Sequence, residues 1–255
     1  PPQVQHPMRL HELIEIRSQA HGLLAYLMCT HSSAHDAHIR GESAPTPRIH
    51  AMIKYLGSKR KLVPTISALV GALPGVSSAA DLFTGTTRVA QALKHIGMHV
   101  VANDMATYAH VFAKAYVATN RDEIDEQRIR SMLNDLSQIE GTTGYVTNTF
   151  SERARYFQAH NAMRIDAIRA AIGTVAPNDP EQAILLTSLI EAADRVDSTA
   201  GVQMAFLKQW AQRSSNPLEL RMPDLVSGSG EAVQADAVSV AASLDGIDLA
   251  YLDPP

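Results

Sequence analysis

The stretch from Val76 to Asp104 constrains the fold more than any other. Val76–Phe83 is a run suited to a buried strand, and it exits through Asp81-Leu82-Phe83-Thr84-Gly85-Thr86-Thr87. Gly85 permits a sharp turn and close approach of a ligand to the backbone. Thr86 or Thr87 can cap the helix that follows, whose apolar face is Val89, Ala90, Leu93 and Ile96. Gly97 closes that helix, and His99–Ala102 is a second strand ending in Asn103-Asp104. Strand, turn, helix, strand and a terminal acid in this order form half of an open parallel sheet with crossover helices.

The same residues point to a ligand. A carboxylate 19 residues after Gly85, at Asp104, can accept both hydroxyl protons of a ribose. The turn is not the dinucleotide fingerprint, because its single glycine makes a poor pyrophosphate cradle. Asp81 would also repel phosphates. A nucleoside cofactor with a cationic amino group and no phosphate fits better, and S-adenosylmethionine has that profile.

The other end of the chain sharpens this expectation. Ile247–Leu252 is a short apolar strand that delivers Asp253-Pro254-Pro255. A carboxylate and a carbonyl held at a strand end suit a flat substrate with hydrogen-bond donors. Val233–Ala237 is expected as a short strand ending in Asp236, which can accept from an adenine amino group or cap the helix over Ala237–Leu244. Lys54-Tyr55-Leu56-Gly57-Ser58-Lys59-Arg60-Lys61 is the densest basic cluster; it can meet a carboxylate or phosphates, or be a solvated loop before a helix over Leu62–Leu73.

Between these ends the pattern is helical. Helices are expected over Thr107–Asn120, Glu126–Ile139, Ser151–Ile172, Asp179–Val196 and Thr199–Gln212, with a polar loop at Gly141–Thr149 and another at Ser214–Gly230. Phe206 and Trp210, spaced i,i+4, read as a packed core pair. Arg153, Arg155, Arg164 and Arg169 can contact a phosphate backbone or lie on solvated helix faces. With no strand alternating, this segment is an insertion into the α/β pattern, where specificity often resides.

Composition narrows the classes. Hydrophobic residues are 45%, and the net charge is -4, so no global basicity announces a nucleic-acid partner. The lone Cys29 supports neither a disulfide framework nor a cysteine zinc cluster, and a reducing cytoplasm is expected. No apolar run approaches the roughly 20 residues of a membrane span, and no secretory leader is expected. Seven of the eleven histidines lie in residues 1–50. His31, His35 and His38 lack a nearby acidic or cysteine ligand, so no metal site is expected. Leu10, Leu13, Ile14, Leu23, Leu24 and Leu27 suggest one or two short amphipathic helices, followed by a linker at Gly41–Pro47.

Taken together, these motifs resemble the Dam-type N6-adenine-specific DNA methyltransferases over roughly Met52–Pro255. Lys54–Lys59 resembles the family's N-terminal cofactor motif, in which the lysine meets the methionine carboxylate. Asp81–Gly85 resembles its glycine-turn motif, and Asp253-Pro254-Pro255 resembles the catalytic Asp-Pro-Pro-Tyr. The likeness extends to Glu191–Asp194 and Phe206–Lys208. It implies a Rossmann-like α/β sheet carrying a helical insertion. The catalytic residues would be Asp253, Pro254 and Pro255; Tyr55, Lys59, Asp81, Phe83, Gly85, Asp104 and Asp236 would bind S-adenosylmethionine. Double-stranded DNA is the implied substrate, with a restriction endonuclease as companion in a restriction–modification or DNA-marking system; the alternative readings are an RNA or protein-amide methyltransferase of the same fold, or an inactive, truncated DNA- or cofactor-binding relic. The expected organisation is an extension at 1–50, a cofactor-binding part at 51–120, a target-recognition insertion at 121–230 and an incomplete return to the sheet at 231–255.

Two departures stand out. The family usually has a second glycine where this chain has Thr87, and the tyrosine expected after Pro255 is absent. The implied chemistry is direct methyl transfer to a flipped adenine. The 255-residue chain itself is expected to be inactive or nearly so, and its parent gene product to be a methyltransferase.

Overall fold

The computed structural model describes residues 26–28, 59–176, 178–199 and 207–254. Five parallel strands form one sheet in the order β1-β5-β2-β3-β4. They are β1 (Tyr26–Met28), β2 (Ser78–Asp81), β3 (His99–Asn103), β4 (Gly230–Val233) and β5 (Leu249–Leu252). The helices are α1 (Val63–Gly71), α2 (Arg88–His95), α3 (Thr107–Ala113), α4 (Glu126–Gln138), α5 (Ala159–Val175), α6 (Asp179–Val196) and α7 (Ala237–Ser243). The expected α/β sheet with a helical insertion is therefore the fold.

The strands are covered on both faces, and alternation of side chains along each strand sorts the core into two layers. Ala79, Val100, Ala102, Leu249 and Tyr251 join apolar residues of α1 to α6 in one cluster. Ala80, Leu82, Val101 and Leu252 face the other way, onto Ala237 and Val240 of α7. The helices of the insertion share the first cluster: Ile129 and Leu133 of α4, Ile168 and Ile172 of α5, and Ile184 and Leu185 of α6 all enter it.

At the amino-terminal edge, register is set by one carboxylate. Asp248 Oδ2, just before β5, accepts from Ser77 N at 2.9 Å, Ser77 Oγ at 3.0 Å, Ser78 N at 3.1 Å and Ser78 Oγ at 3.0 Å. These donors hold its pKa below the usual carboxylate range.

The structure differs from the sequence expectations in five places. Thr87 stands at the N-cap of α2, but its side chain makes no capping hydrogen bond. Leu27 lies in a strand, not a helix: Tyr26–Met28 pairs with Ala250–Leu252, satisfying backbone groups on an edge of β5. The rest of residues 1–50, including the other leucines and His31, His35 and His38, lies outside the described residues. The helix expected over Ser151–Ile172 begins only at Ala159, because Tyr145–Glu152 forms its own helical turns and 153–158 is irregular. The strand expected over Val233–Ala237 is shifted earlier, to Gly230–Val233, and Asp236 caps α7. Residues 207–211 are not helical, and Trp210 is 41% exposed, so it is not a core residue; Phe206 lies outside the described residues. Backbone ties of Leu207 N to Ser198 O and of Ala211 N to Ser198 Oγ replace the helix there.

α3 continues into a π-helical turn, Lys114–Ala118, whose last carbonyls lack helical partners. Lys94 of α2 supplies them. The residue is 1% exposed, and its ammonium donates to Tyr116 O at 3.3 Å, Val117 O at 2.8 Å and Thr119 O at 2.6 Å. Burial pulls its pKa down to about 8, partly offset by Asp122 and Glu123. Lys94→Met keeps the stem and strands the three carbonyls, so urea unfolding should report a loss of about 2–4 kcal/mol. Unchanged stability would mean that the ammonium is not the cap.

Candidate active site

In an all-parallel sheet every strand delivers its carboxyl end to one edge, and the chemistry-bearing residues gather there. β2 ends in Asp81 and the neighbouring β5 runs into Asp253. The register Asp81↔Tyr251 sets the two carboxylates at the tips of adjacent central strands.

Asp81 is 1% exposed. Its Oδ2 accepts from Thr84 Oγ1 at 3.0 Å, while Oδ1 has no hydrogen-bond partner among the described residues. Burial pushes its pKa up to about 7, against the pull of Thr84 and nearby backbone amides, with the charge of Asp253 adding to the rise. A carboxyl with one unpartnered, buried oxygen is incomplete; a cationic donor would complete it.

Asp253 is paired. Lys59 Nζ lies 2.9 Å from its Oδ2, with the two side chains 17% and 23% exposed. Lys59 opens a short helical turn, Lys59–Lys61, that leads into α1. The lysine expected to face a cofactor carboxylate thus also touches the residue expected to be catalytic.

The glycine turn has the conformation expected of it. Gly85 adopts a φ of +50°, and a Cβ there would meet no atom within 4 Å, so its backbone borders open space. Its N–H donates to Asp104 Oδ2 at 2.9 Å, and Asp104 Oδ1 accepts from Ala106 N at 2.9 Å. Each oxygen retains a lone pair for a ligand hydroxyl. Phe83 is half-buried over the α7 side of the core. Asp236 is exposed, and its Oδ2 accepts from Ser239 N at 2.9 Å and Ser239 Oγ at 3.2 Å as the α7 cap. Pro254 is exposed beside Asp253; Tyr55 and Pro255 lie outside the described residues. Two surface clefts of about 630 and 640 Å³ include none of these residues.

Two supporting residues escaped the sequence. Thr84 holds Asp81, and Asn103, fully buried, ties three strand ends together. Asn103 Nδ2 donates to Leu82 O and Ala235 O, both at 3.1 Å, and its Oδ1 accepts from Ala235 N at 3.1 Å. The only available signal was an amide residue at a strand end, where an acid was the more conspicuous neighbour.

These features suit a zwitterionic nucleoside ligand. Asp81 Oδ1 offers a buried acceptor for an ammonium, Asp104 keeps lone pairs that hydroxyl donors could use, and Lys59 offers a cation to a carboxylate. Among the described residues no group of histidine, cysteine and acidic side chains could hold a metal ion. No described helix is long and apolar enough to cross a membrane.

The model of the D12 class N6 adenine-specific DNA methyltransferases matches residues 55–255. The chain belongs to that family. It is 32% identical to the type II methyltransferase M.NlaIII of Neisseria lactamica over 215 residues, 80% of this chain and 64% of that one. It is 33% identical to the modification methylase StsI of Streptococcus sanguinis over 220 residues, 80% of this chain and 33% of the relative. With the type II methyltransferase M.FokI of Planomicrobium okeanokoites the identity is 28% over 222 residues, 80% and 34% of the two chains. The chain therefore spans less than two thirds of the length of each of these relatives. No solved structure matches it significantly.

Thr87, which stands where the family usually has glycine, is accommodated under strain. It is fully buried in the left-handed region, φ +61°, a conformation that costs a β-branched residue about 1–2 kcal/mol. Its hydroxyl offsets part of this, donating to Thr86 O at 2.7 Å and accepting from Gln91 Nε2 at 2.8 Å. Thr87→Val retains the strain and strands the Gln91 amide. Chemical unfolding should show a loss of about 1–3 kcal/mol, and an unaltered midpoint would refute this account of the turn.

Proposed function

We propose that this chain is the catalytic part of a DNA adenine-N6 methyltransferase that uses S-adenosylmethionine. The observation that carries the reading is Asp253 at the tip of β5, beside the buried Asp81 and in contact with Lys59. Asp81 receives the cofactor ammonium, Asp104 the ribose hydroxyls, and Asp236 the adenine ring of the cofactor. Lys59, with three donors, serves both Asp253 and the cofactor carboxylate. The cofactor contributes a sulfonium methyl group.

The target amino group is a weak nucleophile, because its lone pair is delocalised into the ring. The Asp253 carboxylate and the Pro254 carbonyl each accept one of its N–H bonds, localising the pair and aiming it at the methyl group. Duplex DNA hides this amino group, so the adenine must leave the stack. Residues 121–230 form the target-recognition part in this scheme. The relatives named as type II methyltransferases and modification methylases support a role in restriction–modification, with an endonuclease of the same target sequence as companion.

Two measurements test the reading. In the gene product that carries this sequence, methyl transfer from S-adenosylmethionine should appear on adenine N6 of duplex DNA, and Asp253→Asn should lower it by about a hundredfold or more while cofactor binding persists. Transfer to RNA or a protein amide instead, or full activity of the variant, would sink it.

The second is pH-dependent. Folding raises the Asp81 pKa to about 7 from 3.8. Between those values the folded chain keeps a proton that the unfolded chain has lost. The stabilisation is full below pH 3.8 and fades as pH rises through about 7. Asp81→Asn should flatten this slope and melt higher than the parent at pH 8 in a thermal scan. S-adenosylmethionine should bind the parent more weakly by about tenfold per pH unit below 7 and should bind the variant poorly at any pH, by calorimetry. Equal affinity in the variant would remove Asp81 from the site.

A further inference from the structure

The loop before α5 is built to hold one aromatic ring outward. Tyr145 is 71% exposed, yet the backbone around it is clamped. Asp166 of α5 accepts from Val146 N at 2.9 Å, Thr147 N at 2.8 Å and Thr147 Oγ1 at 2.7 Å. Burial alone would raise the Asp166 pKa, but these donors and the Gly144 amide outweigh it and hold it low. Gly144 is required by this approach, because a Cβ there would stand 2.7 Å from Asp166 Cγ. A second clamp joins Thr142 N to Met163 O at 3.1 Å.

Aromatic rings continue from Tyr145 across the surface. Tyr145 meets Phe150 edge-on at 5.8 Å, and Phe150 meets Tyr156 at 5.5 Å. The adjacent Arg155 lies 6.0 Å over the ring of Trp210 and donates to Lys208 O at 2.7 Å. The segment bearing Trp210 is pinned in turn: buried Asn161 donates to Ser214 O and Asn216 O, and Gln158 donates to Ser214 and Ser215 hydroxyls. Arg153, Arg155 and Lys208 are all exposed on these segments, while the nearby Asp197 is neutralised by Arg213 at 2.7 Å. A rigid mount removes the entropic reason for an outward aromatic ring to be silent; ordering is done before any partner arrives.

We propose that this face is where the substrate strand is gripped: Tyr145 and Trp210 stack on bases of a locally opened duplex, and Arg153, Arg155 and Lys208 engage its phosphates. The proposal rests on the DNA-methyltransferase reading and assigns residues within its target-recognition part. Aromatic stacking tolerates any base and rewards unstacked ones. Basic side chains beside the rings match a polyanion and not an apolar protein surface.

Trp210 is the single tryptophan, so its fluorescence reports on this face. The 255-residue chain is titrated with a fully paired duplex, the same duplex with a central mismatch, and a matched RNA hairpin. Both DNAs should quench Trp210, the mismatched one binding more tightly. Tyr145→Ala should weaken DNA binding by about 10- to 100-fold and abolish the mismatch preference. Tyr145→Phe should restore both, with S-adenosylmethionine affinity and unfolding midpoint unchanged throughout. Parent-like DNA binding and mismatch preference in Tyr145→Ala would overturn the assignment and leave the DNA-methyltransferase reading intact. Preference for the RNA hairpin, or no binding of either DNA by the parent, would overturn that reading and this proposal together.

Discussion

A carboxylate shut into the end of a central strand sets the terms for the rest of the site. Asp81 sits where the sheet is deepest, and ionising it there without a counter-charge is costly. Thr84 satisfies one oxygen only. The surroundings are arranged around that unfinished group: the Gly85 turn keeps backbone out of the space beside it, Asp104 pins the turn from the next strand, and Asp253 adds a second negative charge to the same edge. The parallel register brings these groups together, since β2, β3 and β5 all end at that edge.

The half of the fold around β2 and β3 was legible because its signals are local. A run of buried small and branched residues, one glycine and one terminal acid recur within a single crossover unit, and each is fixed by backbone geometry close at hand. The insertion was less legible where tertiary contacts override local pattern. Arg153–Tyr156 has helical composition, but Tyr156 N and Phe157 N both turn back to Phe150 O, and Ser198 N takes Tyr156 O, so the chain bends away before α5. Trp210 looked like core because spacing carries no information about which side of a segment faces water. Tyr26–Met28 is too short for a period of any kind to be read, and only its partner β5 makes it a strand.

The same division runs through the site. Asp81, Asp104 and Asp253 could be found as acids at strand ends, and Gly85 as the turn that must adopt a positive φ. What their side chains touch was beyond reach. Lys59 and Asp253 stand near opposite ends of the described chain, and no spacing rule links them; their 2.9 Å contact exists because α1 begins beside the tip of β5. Asn103 acts through three backbone groups on two other segments, which a sequence shows only as an amide next to a more obvious acid. Thr87 is the instructive case. The family usually has glycine at this position, and here the turn forms with the threonine held in the left-handed region by its own hydroxyl and by Gln91.

Charge balance explains why the two carboxylates need different environments. With its pKa near 7, Asp81 is largely protonated at slightly acidic pH, and the tips of β2 and β5 then carry only the Lys59–Asp253 pair, with no net charge between them. A ligand bringing a sulfonium, an ammonium and a carboxylate carries one net positive charge. Loss of the Asp81 proton on binding cancels it at the tips of β2 and β5, while the Asp104 carboxylate beside them stays hydrogen-bonded to backbone amides. Had Asp81 been solvated and always ionised, a further negative charge would stand permanently beside Asp253. In the proposed mechanism Asp253, held 2.9 Å from the Lys59 ammonium, is the acceptor for the substrate amino group, and the tuning of Asp81 leaves that role undisturbed.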